Sequence, residues 1–337
     1  MSAGPRCAVV VIGRNEGDRL VRCFESIGDY PAVYVDSGST DDSVAEARKR
    51  GIQAVILATD SGFTAARARN AGWRAVAATF SGLDYIQFVD GDCEFAPGWI
   101  ATATAALDAD ASLCAVFGRR RERFPDASIY NALCDDEWNV PVGLVEACGG
   151  DVLFRLSALR EAGGYSDDLI AGEEPDLCLR LGKNGWKICR IDVEMTLHDA
   201  AITKAGQWWR RTRRAGHAFA EHVARNGSAA FQSWRGERNR IILWGTALPL
   251  LIVALLAFAL IADAGSAGLS ALALALLFPV QMTRLTLRDL RQGHSLHFSG
   301  AHGFWLVAGR FAQAGGMTRY WLNRARRRRN SLIEYKG

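Results

Sequence analysis

The sequence predicts an α/β fold in its first 200 residues, followed by a helical region that enters a membrane. Short apolar segments alternate in the first part with helical ones, and polar turns join them. One of these segments, Tyr85 to Val89, ends in two closely spaced carboxylates. Beyond residue 240 the chain contains two long stretches without charged side chains. Because ligands of open α/β sheets gather at the carboxyl ends of the strands, these carboxylates mark the expected functional site.

The composition supports this division. The chain has 337 residues, 49% of them hydrophobic, which suffices for one large domain of roughly 200 residues and an appendage. Residues 1–199 carry 20 basic and 31 acidic side chains, whereas residues 200–337 carry 20 basic and 5 acidic ones. The resulting net charges of −11 and +15 indicate that the two halves meet different surroundings.

The cysteines indicate neither a disulfide framework nor a zinc ribbon. Eight cysteines are scattered along the chain without a Cys-x-x-Cys pair, as in a reduced cytosolic protein. The apolar run Cys7 to Ile12 near the N-terminus is too short for a signal peptide. We therefore expect the first half of the chain in the cytoplasm.

Three strand–helix pairs open the α/β region. The expected strands are 7–12, 32–35 and 54–57, and the helices that follow them end near Ile27, Arg50 and Thr79. Asn15 and Glu16 follow the first strand, and Asp36 begins the loop after the second. Asp36 is placed to accept a hydrogen bond from a nucleotide base or ribose. The alternative is a loop that only caps the next helix, for which Ser, Thr and Asp side chains are well suited.

Arg67 and Arg69 lie near the start of the third helix. Cations at a helix N-terminus oppose the helix dipole, so their position is better explained if they face an anion. Solvated surface arginines are the alternative.

Asp90 and Asp92 follow the strand Tyr85 to Val89, with only Gly91 between them. Two hard oxygen ligands at this spacing can hold Mg²⁺ or Mn²⁺ and leave coordination positions free for phosphate oxygens. The pair therefore predicts a metal-bound diphosphate. An ordinary Asp-Gly turn after a strand is the alternative.

The region after this site is predicted in less detail. A helix from Pro97 to about Leu107 and a strand from Leu113 to Phe117 precede an irregular segment, Arg119 to Val145. That segment is either a mobile loop or a wall of the acceptor site. A short helix around 157–162 and a strand at 186–190 are expected further along the chain.

A second group of carboxylates, Glu173, Glu174 and Asp176, surrounds Pro175. Proline favours the first position of a helix, which places Glu174 at or just before the N-cap, where its anion is stabilised. A general base must be ionised before it takes a proton from an attacking hydroxyl. A helix that merely begins with acidic residues is the alternative.

His198 and a basic helix follow. His198 is either a third metal ligand or an ordinary loop or core histidine. The segment from Gln207 to about Arg225 is expected to form an amphipathic helix. Its aromatic and arginine side chains suit a membrane surface or a sugar-phosphate acceptor.

The order of these motifs resembles that of the inverting family 2 glycosyltransferases with the GT-A fold. The motifs span residues 7 to about 200 and are Asn15-Glu16, Asp36-Ser37-Gly38-Ser39-Thr40-Asp41, Arg69-Asn70-Ala71-Gly72, Asp90-Gly91-Asp92, Gly163-Gly164-Tyr165 and Glu173-Glu174-Pro175-Asp176-Leu177. The resemblance implies a GT-A fold with a Rossmann-like mixed sheet. It also implies a nucleotide-diphosphate sugar as donor.

The resemblance further implies roles for individual residues. Glu16, Asp36 and Arg69 would help to bind the nucleotide, and we assign their neighbours Asn15 and Arg67 to the same site. The implied metal and diphosphate site is Asp90 with Asp92, and His198 is the candidate third ligand.

Two positions depart from the family pattern. Ser37 replaces the second Asp of the usual Asp-Asp-Gly-Ser, and Glu174 stands where the family's catalytic Asp usually lies. The longer side chain leaves Glu173, Glu174 and Asp176 as candidates for the base, and Glu174 is the expected one.

The second half of the chain contains a predicted membrane hairpin. Ile241 to Ala262 has no charged residue across 22 positions, which at about 1.5 Å per residue spans the roughly 30 Å hydrocarbon layer. Ala264 to Thr283 is a second uncharged stretch, and arginines precede and follow the pair. By the positive-inside rule both ends lie in the cytoplasm. A buried helical hairpin in a soluble domain is the alternative.

Four regions are therefore expected. They are a catalytic domain (1–200), a basic amphipathic connector (201–240), a transmembrane hairpin (241–283) and an interfacial basic segment (284–337). The last region combines aromatic residues with arginines as far as Arg329, which suits anionic lipid. Arginines beside a membrane hairpin argue against nucleic-acid binding.

These features predict a membrane-anchored, metal-dependent inverting glycosyltransferase at the inner (cytoplasmic) membrane, with its catalytic domain facing the cytoplasm. The expected acceptor is a lipid-linked saccharide in cell-surface or exopolysaccharide synthesis. Alternatives are a polyprenyl-phosphate glycosyltransferase, a processive polysaccharide synthase and a catalytically inactive nucleotide-sugar-binding scaffold.

Overall fold

A computed structural model describes residues 6–58 and 62–327. Arg328 and Arg329, at the end of the predicted basic tail, lie outside these residues. The described chain divides into two compact units. The first contains the residues up to Asp126 together with Cys134–Ala201, and the second contains Ala127–Leu133 together with the residues from Ile202 onward.

Strands and helices alternate along residues 6–201. The strands are β1 (Cys7–Gly13), β2 (Ala32–Asp36), β3 (Gln53–Ile56), β4 (Tyr85–Asp90), β5 (Cys93–Phe95), β6 (Leu113–Glu122), β7 (Gly143–Val145), β8 (Val152–Arg155) and β9 (Lys187–His198). The helices are α1 (Asp18–Ser26), α2 (Ser43–Lys49), α3 (Ala65–Thr79), α4 (Trp99–Ala109), α5 (Ile129–Glu137), α6 (Leu156–Glu161) and α7 (Glu173–Lys183).

The strands of the described chain form one mixed sheet in the order β3-β2-β1-β4-β8-β6-β9-β5, with β7 also paired to β9. The first four strands of this order are parallel to one another. β8 runs antiparallel to both β4 and β6, whereas β6 and β9 are parallel. This mixed sheet confirms the predicted α/β fold.

The parallel registers bring three strand ends to one edge of the sheet. Gly13 at the end of β1 pairs with Asp36 at the end of β2. On the other side of β1, Ile12 pairs with Asp90 at the end of β4. The loops that begin at these positions therefore start side by side, as the sequence predicts.

Helix α3 packs directly on the apolar centre of the sheet. Val10 and Val35 are fully buried there. A Cβ atom on Gly72 would lie 2.2 Å from Val10 Cγ1 and 3.0 Å from Val35 Cγ2. Glycine at this position permits the close approach, which fixes the position of Arg69, three residues earlier on the same helix.

Two strands are longer than predicted. β6 continues to Glu122, and α5 follows, so much of the segment expected to be irregular is ordered structure. β9 continues to His198 instead of ending near Arg190. The two extensions pair with each other, with Glu122 opposite His198. The β6 extension after Gly118 consists only of charged residues, so the apolar pattern does not reveal it. The β9 extension, residues 191–198, alternates apolar and polar residues, which is the pattern of a half-buried strand.

Helix α7 begins two residues earlier than predicted. Its N-cap is Gly172, which has a φ of +81°, so Glu174 and Pro175 are the second and third helical residues. Proline is accommodated there because the N–H groups of the first turn have no partner within a helix.

The second unit is helical. It contains α8 (Ala205–Asn226), α9 (Gln232–Ile242), α10 (Leu248–Ile261), α11 (Gly265–Ala275), α12 (Leu277–Arg291) and α13 (Leu296–Ala325). Helices α8 and α13 approach closely, since a Cβ atom on Gly216 would lie 2.1 Å from the Gln313 carbonyl oxygen. The predicted basic helix and the C-terminal segment thus pack against each other.

Within the described residues, two helical stretches are long and apolar enough to cross a membrane. They are Gln232–Ile261 and Gly265–Arg291, and only 11% and 6% of their most apolar parts are buried. Leu260 and Ile261 are each 86% exposed. A hairpin in the core of a soluble domain would be mostly buried, so that alternative does not fit.

Candidate active site

The loops after β1 and β2 are tied together by their polar side chains. Asn15, which has a φ of +55°, accepts a hydrogen bond at Oδ1 from the Thr40 backbone N–H at 2.7 Å. Asp36 is buried, and its Oδ2 accepts hydrogen bonds from the backbone N–H groups of Gly38 (3.0 Å) and Ser39 (2.9 Å). In the structure Asn15 and Asp36 therefore shape the two loops where a nucleotide is expected.

Glu16 and Arg67 occupy the same edge of the sheet. Glu16 forms an ion pair with Arg19 at 2.9 Å. The Arg67 guanidinium donates to the carbonyl oxygens of Gly62 and Ala58. The prediction that Arg67 faces an anion is thus not reflected in its hydrogen bonds, which go to backbone oxygens.

Arg69 faces an anion, as the sequence predicts, but the anion is supplied by the protein. Its side chain is 3% exposed. Nη2 lies 3.0 Å from Asp90 Oδ1, and Nη1 lies 2.9 Å from Glu173 Oε1 and 2.8 Å from Glu174 Oε1. Arg69 therefore links the carboxylate at the end of β4 to both glutamates at the start of α7.

A second arginine, Arg120 on β6, holds the other oxygen of Asp90. Its Nη2 lies 3.0 Å from Asp90 Oδ2, and its Nε lies 3.0 Å from Asp151 Oδ2. Asp151 Oδ1 in turn accepts a hydrogen bond from the Asp90 backbone N–H at 3.0 Å. Burial would raise the pKa of Asp90, but Arg69 and Arg120 outweigh it and hold that pKa well below its ordinary value.

Arg120 and Asp151 were not assigned to the site from the sequence. A signal was present, since three consecutive arginines directly follow the apolar part of β6. Their significance becomes visible only when the strand extends past Phe117 and places Arg120 beside Asp90.

Asp92 and His198 are in direct contact. His198 Nε2 lies 3.1 Å from Asp92 Oδ2, and the β5–β9 register places His198 opposite Cys93. Burial, together with the charge of Arg120, lowers the pKa of His198 to about 3. The imidazole is therefore neutral and keeps a lone pair for a metal ion.

The donor set fits a divalent cation. A carboxylate and a neutral imidazole are both ligands that Mn²⁺ accepts, and carboxylates suit Mg²⁺. Burial holds the pKa of the neighbouring Cys93 thiol well above its ordinary value, so this group offers hard cations little. Asp90, by contrast, has both oxygens paired with arginines, so Asp92 and His198 are the better-placed ligands.

The three candidate bases differ in their surroundings. Asp176 is occupied, because it accepts hydrogen bonds from Ser166 Oγ (2.7 Å) and Arg180 Nε (3.1 Å). The Glu173 side chain is only 4% exposed, whereas that of Glu174 is 16% exposed. Glu174 is thus the most accessible of the three.

The protonation behaviour of Glu174 differs from that predicted. The sequence predicts an anion stabilised by the helix N-terminus. Burial and the adjacent charge of Glu173 instead raise the pKa of Glu174 to about 7, although Arg69 opposes the shift. A carboxylate with a pKa near 7 can both lose and accept a proton at neutral pH.

The site carries an excess of negative charge. Among the ion pairs of the described residues, the four carboxylates of Asp90, Asp151, Glu173 and Glu174 share the two guanidinium groups of Arg69 and Arg120. A divalent cation would reduce this excess, which is a second reason why the residues fit a metal site.

The motif Arg69-Asn70-Ala71-Gly72 on α3 also has a structural role. Asn70 Oδ1 accepts a hydrogen bond from the Tyr165 backbone N–H at 2.9 Å, and its Nδ2 donates to the Tyr165 carbonyl oxygen at 2.7 Å. The Gly163-Gly164-Tyr165 turn is thereby fixed to α3, next to Arg69.

The mixed sheet, with carboxylates at its strand ends and at the start of α7, defines a GT-A type of glycosyltransferase fold. Residues 8–144 match the family model described as Glycosyl transferase family 2. The chain therefore carries a family 2 glycosyltransferase domain. The predicted family and fold class are both confirmed.

The chain is similar in sequence to one known glycosyltransferase and in fold to another. The pre-mycofactocin glycosyltransferase of Mycobacterium tuberculosis is 26% identical over 207 residues, which is 57% of this chain and 42% of that protein. The mannosyltransferase PcManGT from Pyrobaculum calidifontis, solved in complex with GDP-Man and Mn²⁺, matches with a TM-score of 0.60 and 21% identity. This likeness of fold covers 96% of the present chain and 88% of that one.

Proposed function

We propose that this chain is a metal-dependent inverting glycosyltransferase that transfers a sugar from a nucleotide-diphosphate donor to a hydroxyl group of a lipid-linked saccharide. The observation that carries the proposal is the position of Glu174. Its carboxylate is partly accessible, has a pKa near 7 and is joined through Arg69 to Asp90. A base for the acceptor thus stands beside the residues proposed to hold the donor.

Asp92 and His198 would hold the divalent cation, with Asp90 beside them. When bound, the cation neutralises charge on the departing diphosphate. The neutral imidazole favours Mn²⁺ over Mg²⁺, because Mg²⁺ prefers a shell of oxygen ligands. We therefore expect Mn²⁺ to support the higher turnover.

Glu174 performs the proton transfer in this proposal. As the acceptor oxygen bonds to the anomeric carbon, the bond to the diphosphate breaks and its electron pair leaves with the nucleotide. The hydroxyl proton passes to Glu174. Arg69 keeps the carboxylate in place through its 2.8 Å contact, and attack opposite the leaving group inverts the anomeric configuration.

The presence of a base also bears on the acceptor. A polyprenyl phosphate is already ionised and needs no general base, whereas a sugar hydroxyl does. The Glu173–Glu174 pair therefore favours a hydroxyl acceptor. The two apolar helices favour one that is carried on lipid at the cytoplasmic membrane, with the catalytic unit on the cytoplasmic side.

Transfer assays on membranes that contain the full chain test this function. Radiolabelled nucleotide sugars would be supplied with extracted lipid-linked saccharides and Mn²⁺, with and without chelator. We expect a chelator-sensitive, labelled lipid product that the Glu174→Gln variant does not form. Donor binding without any transfer, across the whole panel, would instead support a nucleotide-sugar-binding scaffold. Transfer to bare polyprenyl phosphate would identify the alternative enzyme class.

A further inference from the structure

The cluster of possible metal ligands around Asp92 and His198 contains a third donor, which the proposed reaction does not use. Cys93 lies on β5 directly opposite His198 on β9. One donor atom from each of Asp92, Cys93 and His198 lies within 4.8 Å of the other two, and all three residues are buried. An oxygen, a sulfur and a nitrogen ligand thus converge on one small volume.

The spacing of these donors suits a small tetrahedral ion. For ordinary zinc–ligand distances, the edges of a tetrahedron of O, N and S donors are about 3.3 to 3.6 Å long. In the structure Asp92 Oδ2 and His198 Nε2 are 3.1 Å apart, and Asp92 Oδ1 and Cys93 Sγ are 3.6 Å apart. These two distances involve different oxygens of Asp92, so one oxygen must approach both other donors when the ion binds. One donor atom of each residue already lies within 4.8 Å of the other two.

A thiol changes which metal the cluster prefers. Mg²⁺ and Mn²⁺ are suited by oxygen ligands, whereas thiolate and imidazole together favour zinc. Zinc also stands above manganese in the general order of divalent affinities. A site with Asp92, Cys93 and His198 should therefore bind zinc much more tightly than manganese.

Arg120 supports Cys93 as a ligand. Its Nη2 lies 3.2 Å from Cys93 Sγ, while its Nε is held by Asp151 at 3.0 Å. An N–H donor fixed in this way can hydrogen-bond to a metal-bound thiolate, which is how outer residues commonly orient metal ligands. The contact between Arg120 and the Cys93 sulfur would thus orient the thiolate towards a bound metal ion.

We propose that Asp92, Cys93 and His198 form a zinc site, and that zinc bound there displaces the catalytic Mn²⁺ or Mg²⁺. On binding, the Cys93 thiol releases its proton to solvent and coordinates as the thiolate. The inhibitory consequence rests on the proposed function, because it requires that Asp92 and His198 hold the catalytic cation. The zinc site itself rests only on the geometry of the three donors.

The binding test uses Cys93→Ser, which replaces sulfur by oxygen with almost no change in volume. Zinc affinity of the detergent-solubilised full chain would be measured by competition with a chromophoric chelator. Because loss of an outer partner already costs about 10- to 100-fold in metal affinity, loss of the thiolate ligand should cost at least about 100-fold. Mn²⁺ affinity should change far less, and its retention shows that the variant is folded.

Cys189→Ser is the matched control. Cys189 lies on the same strand as His198 but outside the cluster, so its substitution should leave zinc affinity unchanged. X-ray absorption at the zinc edge, with one equivalent of zinc, should show a sulfur ligand at about 2.3 Å in wild type and Cys189→Ser but not in Cys93→Ser. Equal zinc affinity in all three proteins, or absence of a sulfur ligand in wild type, would overturn the proposal.

Competition separates this inference from the proposed function. In wild type, added zinc should release bound Mn²⁺, observed by the electron paramagnetic resonance of the freed ion. In Cys93→Ser the same release should require at least about 100-fold more zinc. Release of Mn²⁺ by zinc in a chain that transfers no sugar would leave the zinc site standing and remove only the inhibition of catalysis. A zinc–sulfur site that binds without displacing Mn²⁺ would refute the competition.

Discussion

Replacement of Glu174 by Gln should abolish most of the turnover while leaving the site assembled. Gln has nearly the same shape, and its amide oxygen can still accept the hydrogen bond from Arg69 Nη1 that now measures 2.8 Å. It cannot take a proton. Positioned general bases contribute about 10²- to 10⁴-fold, so kcat should fall by at least about 100-fold, which corresponds to roughly 3 kcal/mol of activation free energy.

The pH dependence gives this prediction a second signature. The base works when ionised, and the pKa of Glu174 is about 7. The kcat/KM of the wild-type chain, which reports the ionisation of the free enzyme, should therefore rise about tenfold per pH unit below pH 7 and level off above it. The residual activity of Glu174→Gln should lack this rise.

Variants of the two neighbouring carboxylates test the assignment. Glu173→Gln removes a negative charge that raises the pKa of Glu174, so the rise in kcat/KM should move to lower pH and remain present. Asp176→Asn should retain most of its kcat, because Asp176 is occupied by Ser166 and Arg180. The reasoning is refuted if Glu174→Gln keeps the wild-type pH profile or if Glu173→Gln loses its rise entirely.

Loss of activity by unfolding is separable from loss of the base. A carboxyl group whose pKa is raised on folding destabilises the folded state increasingly as pH rises from its unfolded pKa of about 4.5 towards 7. Glu174→Gln removes this cost, so at pH 8 its thermal midpoint should equal or exceed that of wild type. A clear decrease would mean that Glu174 mainly stabilises the fold.

Three further predictions concern the metal, the core and the membrane. Asp92→Ala should abolish Mn²⁺-dependent turnover in the transfer assay and leave the chain folded and membrane-bound; unchanged activity in excess chelator would contradict it. Gly72→Ala should lower the free energy of unfolding by about 1–3 kcal/mol, since its Cβ would meet Val10 Cγ1 at 2.2 Å, and denaturant titration measures the change. A chain truncated before Arg235 should be released from membranes by high salt whereas the full chain is not, and equal release would show that the hairpin is not inserted. Reporters fused after Arg238 and after Arg291 should both report the cytoplasm, and opposite locations would refute the hairpin.

Much of the fold of the first unit follows from local sequence patterns. The first four strands of the sheet are apolar and separated by polar turns, so their number and order along the chain are readable. The convergence of Asp36 and Asp90 then follows from parallel pairing, which places carboxyl ends at one edge. The β6 extension is not readable in this way, because it consists only of charged residues, whereas the alternation of apolar and polar residues along 191–198 does indicate the β9 extension.

The site depends more strongly on long-range packing. That Arg69 faces an anion is indicated by its position in the helix, but Glu173 and Glu174 lie 104 and 105 residues further on. The contact between Asp92 and His198 joins residues 106 positions apart and depends on the β5–β9 register. Burial raises the pKa of Glu174, whereas the helix N-terminus lowers it, and no local sequence pattern predicts which effect is larger.

The most direct test of the central claim is the anomeric configuration of the product. A nucleotide sugar labelled with ¹³C at the anomeric carbon would be incubated with membranes containing the full chain, Mn²⁺ and lipid-linked saccharide acceptors. The one-bond carbon–proton coupling of the isolated product reports its configuration by nuclear magnetic resonance. We predict a lipid-bound glycoside whose configuration is opposite to that of the donor; a product with retained configuration would contradict direct displacement assisted by Glu174.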